Sequence, residues 1–206
     1  MRVRHPGLGL VLLLAGALGC APDLRDDFPF DGAGGPTDRV VHTELGGGLR
    51  ETVVNASDKA AWVYLDLDTG EELDVPTALE TQAWELAFQR FKIISNSGIS
   101  GPGGVGTAVL PGADFDALVQ APVDGYREDR PDGPDGNTDL DSAFLEGDGW
   151  YAYSLTEHRL KANDLVFVVR TTGGQYLKLQ LTDYYSEAGS SGYLTFRWAL
   201  LEPPAP

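Results

Sequence analysis

The densest set of potential metal ligands in the sequence lies in an acidic segment between residues 132 and 146. The spacing that an EF-hand loop uses to bind calcium, positions 1, 3, 5, 7 and 12, is matched by Asp135, Asn137, Asp139, Asp141 and Glu146. Calcium takes six to eight oxygen ligands, and this stretch offers them. Leu140, however, replaces the expected turn glycine, and no strong helices flank the segment. The pattern fits either a calcium site or a solvated acidic loop.

Side chains that could act as catalytic bases or nucleophiles are scarce. Apart from the N-terminal segment, the sequence contains only two histidines, His42 and His158, and His158 alone falls within the predicted domain. No G-x-S-x-G motif accompanies it, and no acid–base pair stands out among the many carboxylates. We therefore predict that the protein is not an enzyme.

The first twenty residues predict export and lipidation. Arg2 and Arg4 precede an uncharged apolar run at 8–18, which suits a signal peptide and is shorter than the roughly 20 residues of a spanning helix. The sequence Ala-Leu-Gly-Cys at 17–20 resembles a bacterial lipobox, so we expect cleavage after residue 19 and acylation of Cys20. Cys20 is the only cysteine and cannot form an intramolecular disulfide. A plain secreted protein with a chance cysteine is the alternative.

Lipidation would make a membrane the first partner of the chain. Acyl chains on Cys20 would contribute roughly 0.8 kcal/mol for each buried methylene group, so several chains anchor a protein without a spanning helix. Ala21, rather than Asp, follows the cysteine, which resembles lipoproteins that pass to the outer membrane. We expect an extracytoplasmic outer-membrane lipoprotein, on the periplasmic or the cell-surface face.

The charge balance argues against nucleic acid as a partner. The sequence has 15 Lys and Arg residues against 31 Asp and Glu residues. Because residues 1–19 contain two arginines and no acidic residue, the mature chain would keep 13 basic and 31 acidic side chains, a net charge of −18. Binding to nucleic acid requires Lys and Arg at the phosphates, and no basic run is present.

Composition divides the chain after the signal peptide into three parts. Residues 20–49 are predicted to be the lipidated N-terminus and a flexible tether, because Pro, Gly and Asp dominate the first half and three consecutive glycines lie near the end. Residues 50–201 are expected to form one domain, whose core the aromatic residues can fill. Residues 202–206 would form a short tail.

Apolar residues of the predicted domain recur with period two, which indicates β-strands. Six segments are predicted as strands: 62–67, 84–94, 150–154, 165–171, 175–181 and 193–200. The sequences at 68–70 and 172–174 are typical of tight turns, and only 114–120 looks like a short helix. We therefore predict an all-β fold, an antiparallel sandwich or irregular barrel with long loops and little helix.

Eight stretches of these strands and turns follow one another in an order that is typical of a known family. They are 62–70, 84–88, 91–98, 168–171, 173–174, 176–180, 184–185 and 192–197. In these stretches the sequence resembles the HmuY family of lipoproteins. The resemblance implies an all-β surface lipoprotein that captures haem, often beside an outer-membrane haem receptor as its partner.

The resemblance also implies iron ligands, and the sequence offers few. The best-known family member holds haem iron between two histidines, for which His42 and His158 are the candidates here. Use of both in one chain would require the tether that carries His42 to fold back, whereas two molecules could share one haem through His158 of each. Met1 would be lost with the signal peptide and Cys20 acylated, which leaves histidine, tyrosine or carboxylate as ligands.

The candidate ligands of the domain each have a simpler interpretation. His158 lies in a polar connector between two predicted strands. It is interpreted either as a haem ligand or as a solvated loop histidine. Tyr184 and Tyr185 could bind iron or stack on porphyrin, but neighbours in a strand face opposite ways, so at least one is expected in the core. The leading hypothesis is a non-catalytic haem-binding lipoprotein. The alternative is a structural or adhesive lipoprotein without haem, whose acidic loop calcium could order.

Overall fold

The computed structural model describes residues 39–131, 140–145 and 149–205. Within them the chain forms twelve strands and one 3-10 turn, Ala78–Glu80. The strands are β1 (Val40–Gly46), β2 (Leu49–Asn55), β3 (Val63–Asp66), β4 (Glu71–Leu73), β5 (Leu86–Gln89), β6 (Lys92–Ser95), β7 (Gly106–Pro111), β8 (Tyr151–Ser154), β9 (Arg159–Ala162), β10 (Leu165–Arg170), β11 (Tyr176–Tyr185) and β12 (Ser191–Leu201). In these residues no helix is long and apolar enough to cross a membrane.

The strands pair antiparallel in three sheets. The large sheet has six strands in the order β1-β2-β12-β11-β10-β7, and the small sheet has four in the order β4-β3-β5-β6. Strands β8 and β9 form a separate two-stranded ribbon. Each of the two main sheets ends in edge strands, so among the described residues neither closes into a barrel. The predicted all-β antiparallel fold is confirmed, and of its two forms the structure shows the sandwich.

The main core lies between the two sheets, and alternation along the strands places it there. In β12 every second residue faces inward, among them Leu194, Phe196 and Trp198, which are buried. Phe196 stacks on Phe88 of the small sheet, with ring centroids 5.7 Å apart and planes 12° from parallel. Such aromatic pairs are worth about 0.5–1.5 kcal/mol beyond the area that they bury.

Strand β10 is apolar without alternation because both of its faces are covered. Phe167 and Val169 belong to the main core, whereas Val168 packs in a second cluster on the outer face of the large sheet, together with Ala108 and Leu201. A third cluster around Trp84 covers the outer face of the small sheet. Five of the six predicted strands are present, with ends that differ by at most a few residues. The sixth, predicted to run from 84 to 94, is wrong as one strand: the chain reverses after Gln89 in a tight turn where Arg90 has positive φ, and forms the antiparallel pair β5 and β6.

The folded region begins earlier than the sequence predicted. Residues 40–46, placed in the tether, form edge strand β1, which pairs with β2 from Val40 opposite Val54 to Gly46 opposite Leu49. The three glycines that suggested flexibility make the tight turn between these strands. Gly46, Gly47 and Gly48 all have positive φ, which glycine adopts without steric cost.

The predicted helix at 114–120 is wrong, since the structure has only a turn there. The Asp114 carboxylate accepts the N–H groups of Asp116 and Ala117, as at a helix start. The Phe115 carbonyl, which would accept the N–H of Val119 in a helix, instead accepts a hydrogen bond from Lys178 Nζ at 2.6 Å, and the same Nζ donates to the Leu118 carbonyl at 2.9 Å. The local sequence pattern correctly indicated a first helical turn, but the chain does not continue as a helix, and its carbonyl groups bond to Lys178 instead.

A buried carboxylate joins the two main sheets. Glu85, just before β5, is fully buried, and its Oε2 accepts the N–H of Leu67 at 2.7 Å. Its Oε1 accepts the hydroxyl and the N–H of Thr172, at 2.6 and 3.2 Å, in the turn between β10 and β11. Burial raises the pKa of Glu85 to about 7, although these hydrogen bonds act in the opposite direction.

The same turn has a second attachment to the small sheet. Asp68 Oδ2, in the turn between β3 and β4, accepts the N–H of Gly173 at 3.0 Å. A Cβ atom at position 173 would lie 2.4 Å from this oxygen, so the approach requires glycine. Two carboxylates of one sheet therefore hold the hairpin turn of the other.

The stability of the protein should fall as the pH rises from about 4.5 to about 7. Because folding raises the pKa of Glu85 from 4.5 to about 7, the folded state holds a proton that the unfolded state has lost between these pH values. This shift corresponds to roughly 3 kcal/mol of unfolding free energy. Burial also raises the pKa of Asp129, to about 6, which acts in the same direction.

Denaturant unfolding at about pH 5 and about pH 8 measures this dependence. The Glu85→Gln variant cannot titrate, and we expect it to be less stable at both pH values but to lose part of the slope. Asp129→Asn is a matched control that keeps Glu85 and should keep most of the slope. A slope in Glu85→Gln equal to that of the wild type would contradict the assignment.

Candidate functional site

The ribbon of β8 and β9 presents His158 to solvent. Tyr151 pairs with Ala162 and Ser154 with Arg159, so residues 155–158 form the turn at its tip. His158 is exposed, as are Tyr153 and Leu155, whose exposed fractions are 51% and 78%. The predicted connector between two strands is thus a hairpin turn whose second strand, β9, the sequence reading did not identify.

The backbone of His158 adopts a conformation that favours glycine. Its φ is +53°, and besides Arg90 it is the only non-glycine residue with positive φ among the described residues. Left-handed backbone costs an L-residue roughly 1–2 kcal/mol. Such strain persists where the surrounding structure enforces it, and it often accompanies function. A histidine here thus costs stability that glycine would not.

One nitrogen of the His158 ring has a partner. Nδ1 lies 3.1 Å from the hydroxyl of Tyr153, and the two rings are tilted by 56°. Within the described residues no hydrogen bond to Nε2 occurs, and the side chain is exposed. Nε2 is therefore the ring atom that a metal outside the protein could reach.

The ribbon rests on the end of β11 through Tyr185. The Tyr185 hydroxyl accepts the N–H of Leu160 at 3.0 Å, and the guanidinium of Arg159 lies over its ring, 3.7 Å from the centroid. A cation at this distance is attracted by the negative face of the ring. These two contacts hold the strand that follows His158.

The two adjacent tyrosines do not face opposite ways. Their ring centroids are only 5.2 Å apart, because the pairing of β11 with β12 shifts register between Asp183 and Tyr185. Tyr184 belongs to the core, as expected for at least one of the pair, with an exposed fraction of 5%. Burial raises the pKa of Tyr184, which disfavours the phenolate that iron would bind.

Beneath the ribbon, aromatic rings form a continuous contact chain. It runs through Phe91, Tyr151, Trp150, Tyr184 and Tyr185, with neighbouring centroids 4.9–6.0 Å apart. The indole N–H of Trp150 donates to the Phe91 carbonyl at 2.9 Å, so this polar atom is satisfied in the core. The ribbon thus has a rigid apolar base.

His42 serves the fold at another place. Its Nε2 lies 2.6 Å from the carbonyl of Gly70, which can only accept, so Nε2 carries the proton. Its Nδ1 lies 2.7 Å from the Thr52 hydroxyl, which itself accepts the indole N–H of Trp198 at 2.8 Å. Both ring nitrogens are occupied, and none of these partners contacts His158 in the described part of the chain.

The predicted calcium ligands are largely beyond what the structure describes. Asp135, Asn137, Asp139 and Glu146 lie outside the described residues, as does Cys20. Asp141 is described, and its backbone pairs with that of Arg130.

In residues 39–131, 140–145 and 149–205, one group of carboxylates is close enough to hold a metal ion. It consists of Asp66, Asp68 and Glu85, with one oxygen of each within 4.8 Å of the others. Asp66 Oδ1 accepts the N–H groups that follow it in the turn, at 2.9 and 3.1 Å. With the contacts of Asp68 and Glu85 described above, the group holds turns together.

Comparison with known proteins identifies the family. A family model described as "HmuY protein" matches residues 58–198, most of the chain. The chain belongs to the HmuY family. Among curated proteins no match was found.

Solved structures share the fold of this HmuY-family protein. A Bacteroides vulgatus protein, provisionally described as an HmuY-like heme binding protein, has a TM-score of 0.55 at 17% identity, over 78% of this chain and 96% of that chain. The apo HmuY analog of Tannerella forsythia has a TM-score of 0.51 at 16% identity, over 80% of this chain and 98% of that chain. A Bacteroides fragilis protein, provisionally described as a lipoprotein, has a TM-score of 0.53 at 17% identity, over 78% of this chain and 95% of that chain.

Two residues of the ribbon were not singled out from the sequence. Tyr153 contacts His158 across the turn, and Arg159 covers Tyr185. Alternation of Tyr151 and Tyr153 before the turn, and of Leu160 and Ala162 after it, is a period-two signal that could have predicted the hairpin and so placed Tyr153 near His158.

Replacement of His42 should damage the fold and leave the ribbon unaffected. His42→Leu removes the hydrogen bonds to Thr52 and Gly70, and we expect a loss of about 1–3 kcal/mol of unfolding free energy. Val41→Ala, on the same strand with an exposed side chain, is the control and should change stability by less than about 0.5 kcal/mol. Denaturant unfolding measures both variants. A His42→Leu protein as stable as the wild type would refute the structural role.

Proposed function

We propose that this HmuY-family protein is a lipoprotein, held outside the cytoplasm by lipid on Cys20, that binds haem for iron acquisition without catalysing a reaction. Haem is the cargo, which the protein would capture or pass on, and an outer-membrane haem receptor is the expected partner. Family membership supports haem as the ligand class. The observation that supports this location of the haem site is the exposed His158 at the tip of the ribbon, which has an accessible Nε2 and a strained backbone.

The donor set of the ribbon fits haem. A neutral imidazole nitrogen is a common axial ligand of haem iron. The exposed face of Tyr153 and the side chain of Leu155 offer apolar surface to a porphyrin beside that nitrogen. Arg159 is exposed on β9 and gives positive charge near His158, in a chain that is otherwise strongly acidic, whereas the charge of Lys161 is balanced by its ion pair with Glu157. Haem propionates carry the complementary charge.

A second candidate function follows from His42. Because both ring nitrogens of His42 are occupied within the fold, one chain offers His158 alone as an accessible histidine in the described residues. A chain with one such ligand could instead be a structural or adhesive lipoprotein that no longer binds haem, with calcium in its acidic segment. Haem titration separates the two functions.

Haemin titration of the mature chain, with Cys20→Ser to prevent acylation, tests the leading proposal. A saturable change of the Soret band is expected in the wild type, and we expect His158→Ala to lose it. Val41→Ala is the control and should titrate like the wild type. Absence of a saturable change in the wild type, in both redox states, would favour the structural or adhesive function.

The backbone of His158 allows a sharper variant. His158→Gly removes the imidazole but relieves the positive φ, so its stability should equal or exceed that of the wild type by up to about 1 kcal/mol. Its haem binding should nevertheless be lost. Thermal unfolding and the Soret titration, carried out on the same sample, measure both effects. Retained haem binding by His158→Gly would exclude His158 as the iron ligand.

A further inference from the structure

We propose that Tyr153 is a positioning residue for His158: its phenol oxygen accepts the Nδ1–H of the imidazole and so leaves Nε2 as the atom that binds iron. This inference rests on the proposed function, because it assumes that His158 is the ligand. It assigns a role to a residue that does not itself touch the iron.

The geometry restricts the choice of ring nitrogen. Nδ1 lies 3.1 Å from the Tyr153 oxygen, so a haem iron cannot occupy that position while the contact persists. The ring centroids of the two residues are 6.4 Å apart, and the tilt of 56° sets the imidazole across the phenol and not flat upon it. The free edge of the imidazole therefore carries Nε2.

Iron binding at Nε2 requires one of the two tautomers that this contact allows. A neutral imidazole has one N–H donor and one acceptor nitrogen, whereas a phenol can donate or accept. If the phenol donated to Nδ1, the proton would sit on Nε2 and no lone pair would remain for iron. When Nδ1–H donates to the phenol oxygen, Nε2 is free to bind. Partners of this kind orient metal-bound histidines and raise their basicity.

The surrounding turn keeps the two side chains together. Ser154 Oγ accepts the N–H of Glu157 at 3.3 Å, and Glu157 forms an ion pair with Lys161 at 2.8 Å across the turn. On the other side, Leu160 is the cross-strand partner of Tyr153, and its backbone N–H donates a hydrogen bond to the Tyr185 hydroxyl. Tyr153 is therefore held by the strand that Tyr185 anchors, and the His158 ring reaches its hydroxyl from a turn residue with positive φ.

The matched variants are Tyr153→Phe, which removes only the hydroxyl, and Tyr176→Phe, which removes a hydroxyl from a residue packed on Tyr126 in a different cluster. We expect the haem affinity of Tyr153→Phe to fall about 10-fold or more, as when outer-shell partners of metal ligands are lost. Its iron(III)/iron(II) potential should rise, because a less basic imidazole stabilises iron(III) less. Tyr176→Phe should match the wild type in both measurements.

A readout without haem completes the test. In the mature chain with Cys20→Ser, ¹⁵N NMR of the His158 ring reports which nitrogen carries the proton, and Tyr153→Phe should lower the Nδ1–H population. Unchanged tautomer, affinity and potential in Tyr153→Phe would overturn the positioning role while haem binding through His158 stood. Failure of the wild type to bind haem would instead overturn the proposed function, and an unchanged tautomer in Tyr153→Phe would still decide against Tyr153.

Discussion

The sandwich depends on the hydrogen bonds of one carboxylate that is buried between its two sheets. Glu85 is fully buried and, in the part of the chain that the structure describes, has no cationic partner; its hydrogen-bond donors are Leu67 on one side and Thr172 on the other. Removal of either set of donors would leave a buried polar group unpaired, which costs about 1–3 kcal/mol or more for a charged group. The turn between β10 and β11 is thereby fixed against the small sheet, and with it the register of the two central strands.

That fixed register determines where the candidate site can form. Strand β11 is long, and its far end, beyond the register shift at Asp183, brings Tyr184 and Tyr185 to the same side of the sheet. Tyr184 fills the core and Tyr185 reaches outward to hold β9. The ribbon of β8 and β9 is therefore supported by the sandwich through a few aromatic and hydrogen-bonded contacts, and its tip stays open to solvent with His158 and Tyr153 exposed.

The sequence predicted the strands well, because period-two alternation is a local signal that burial of one face enforces. Strand β1 was assigned to the tether because its flanking glycines suggest flexibility, and only pairing with β2 shows that they form a turn. The short helix after Asp114 was predicted from local pattern, yet the carbonyls of Phe115 and Leu118 accept hydrogen bonds from Lys178, which is 63 and 60 positions away in sequence. His158 could be named from its residue type, and the alternation on either side of its turn could have placed Tyr153 nearby. The occupied state of His42 depends on contacts with Thr52 and Gly70 that no local pattern encodes.

The proposed binding of haem at the tip of the ribbon through His158 can be tested without iron. Gallium(III) protoporphyrin, a diamagnetic analogue of haem, allows the contact to be located by backbone NMR of the mature chain. We expect chemical-shift changes to centre on His158, Tyr153 and the adjoining turn, while the amides of His42, Thr52 and Gly70 stay unchanged. Changes that centre on His42, or a spectrum that does not respond to the porphyrin, would contradict it.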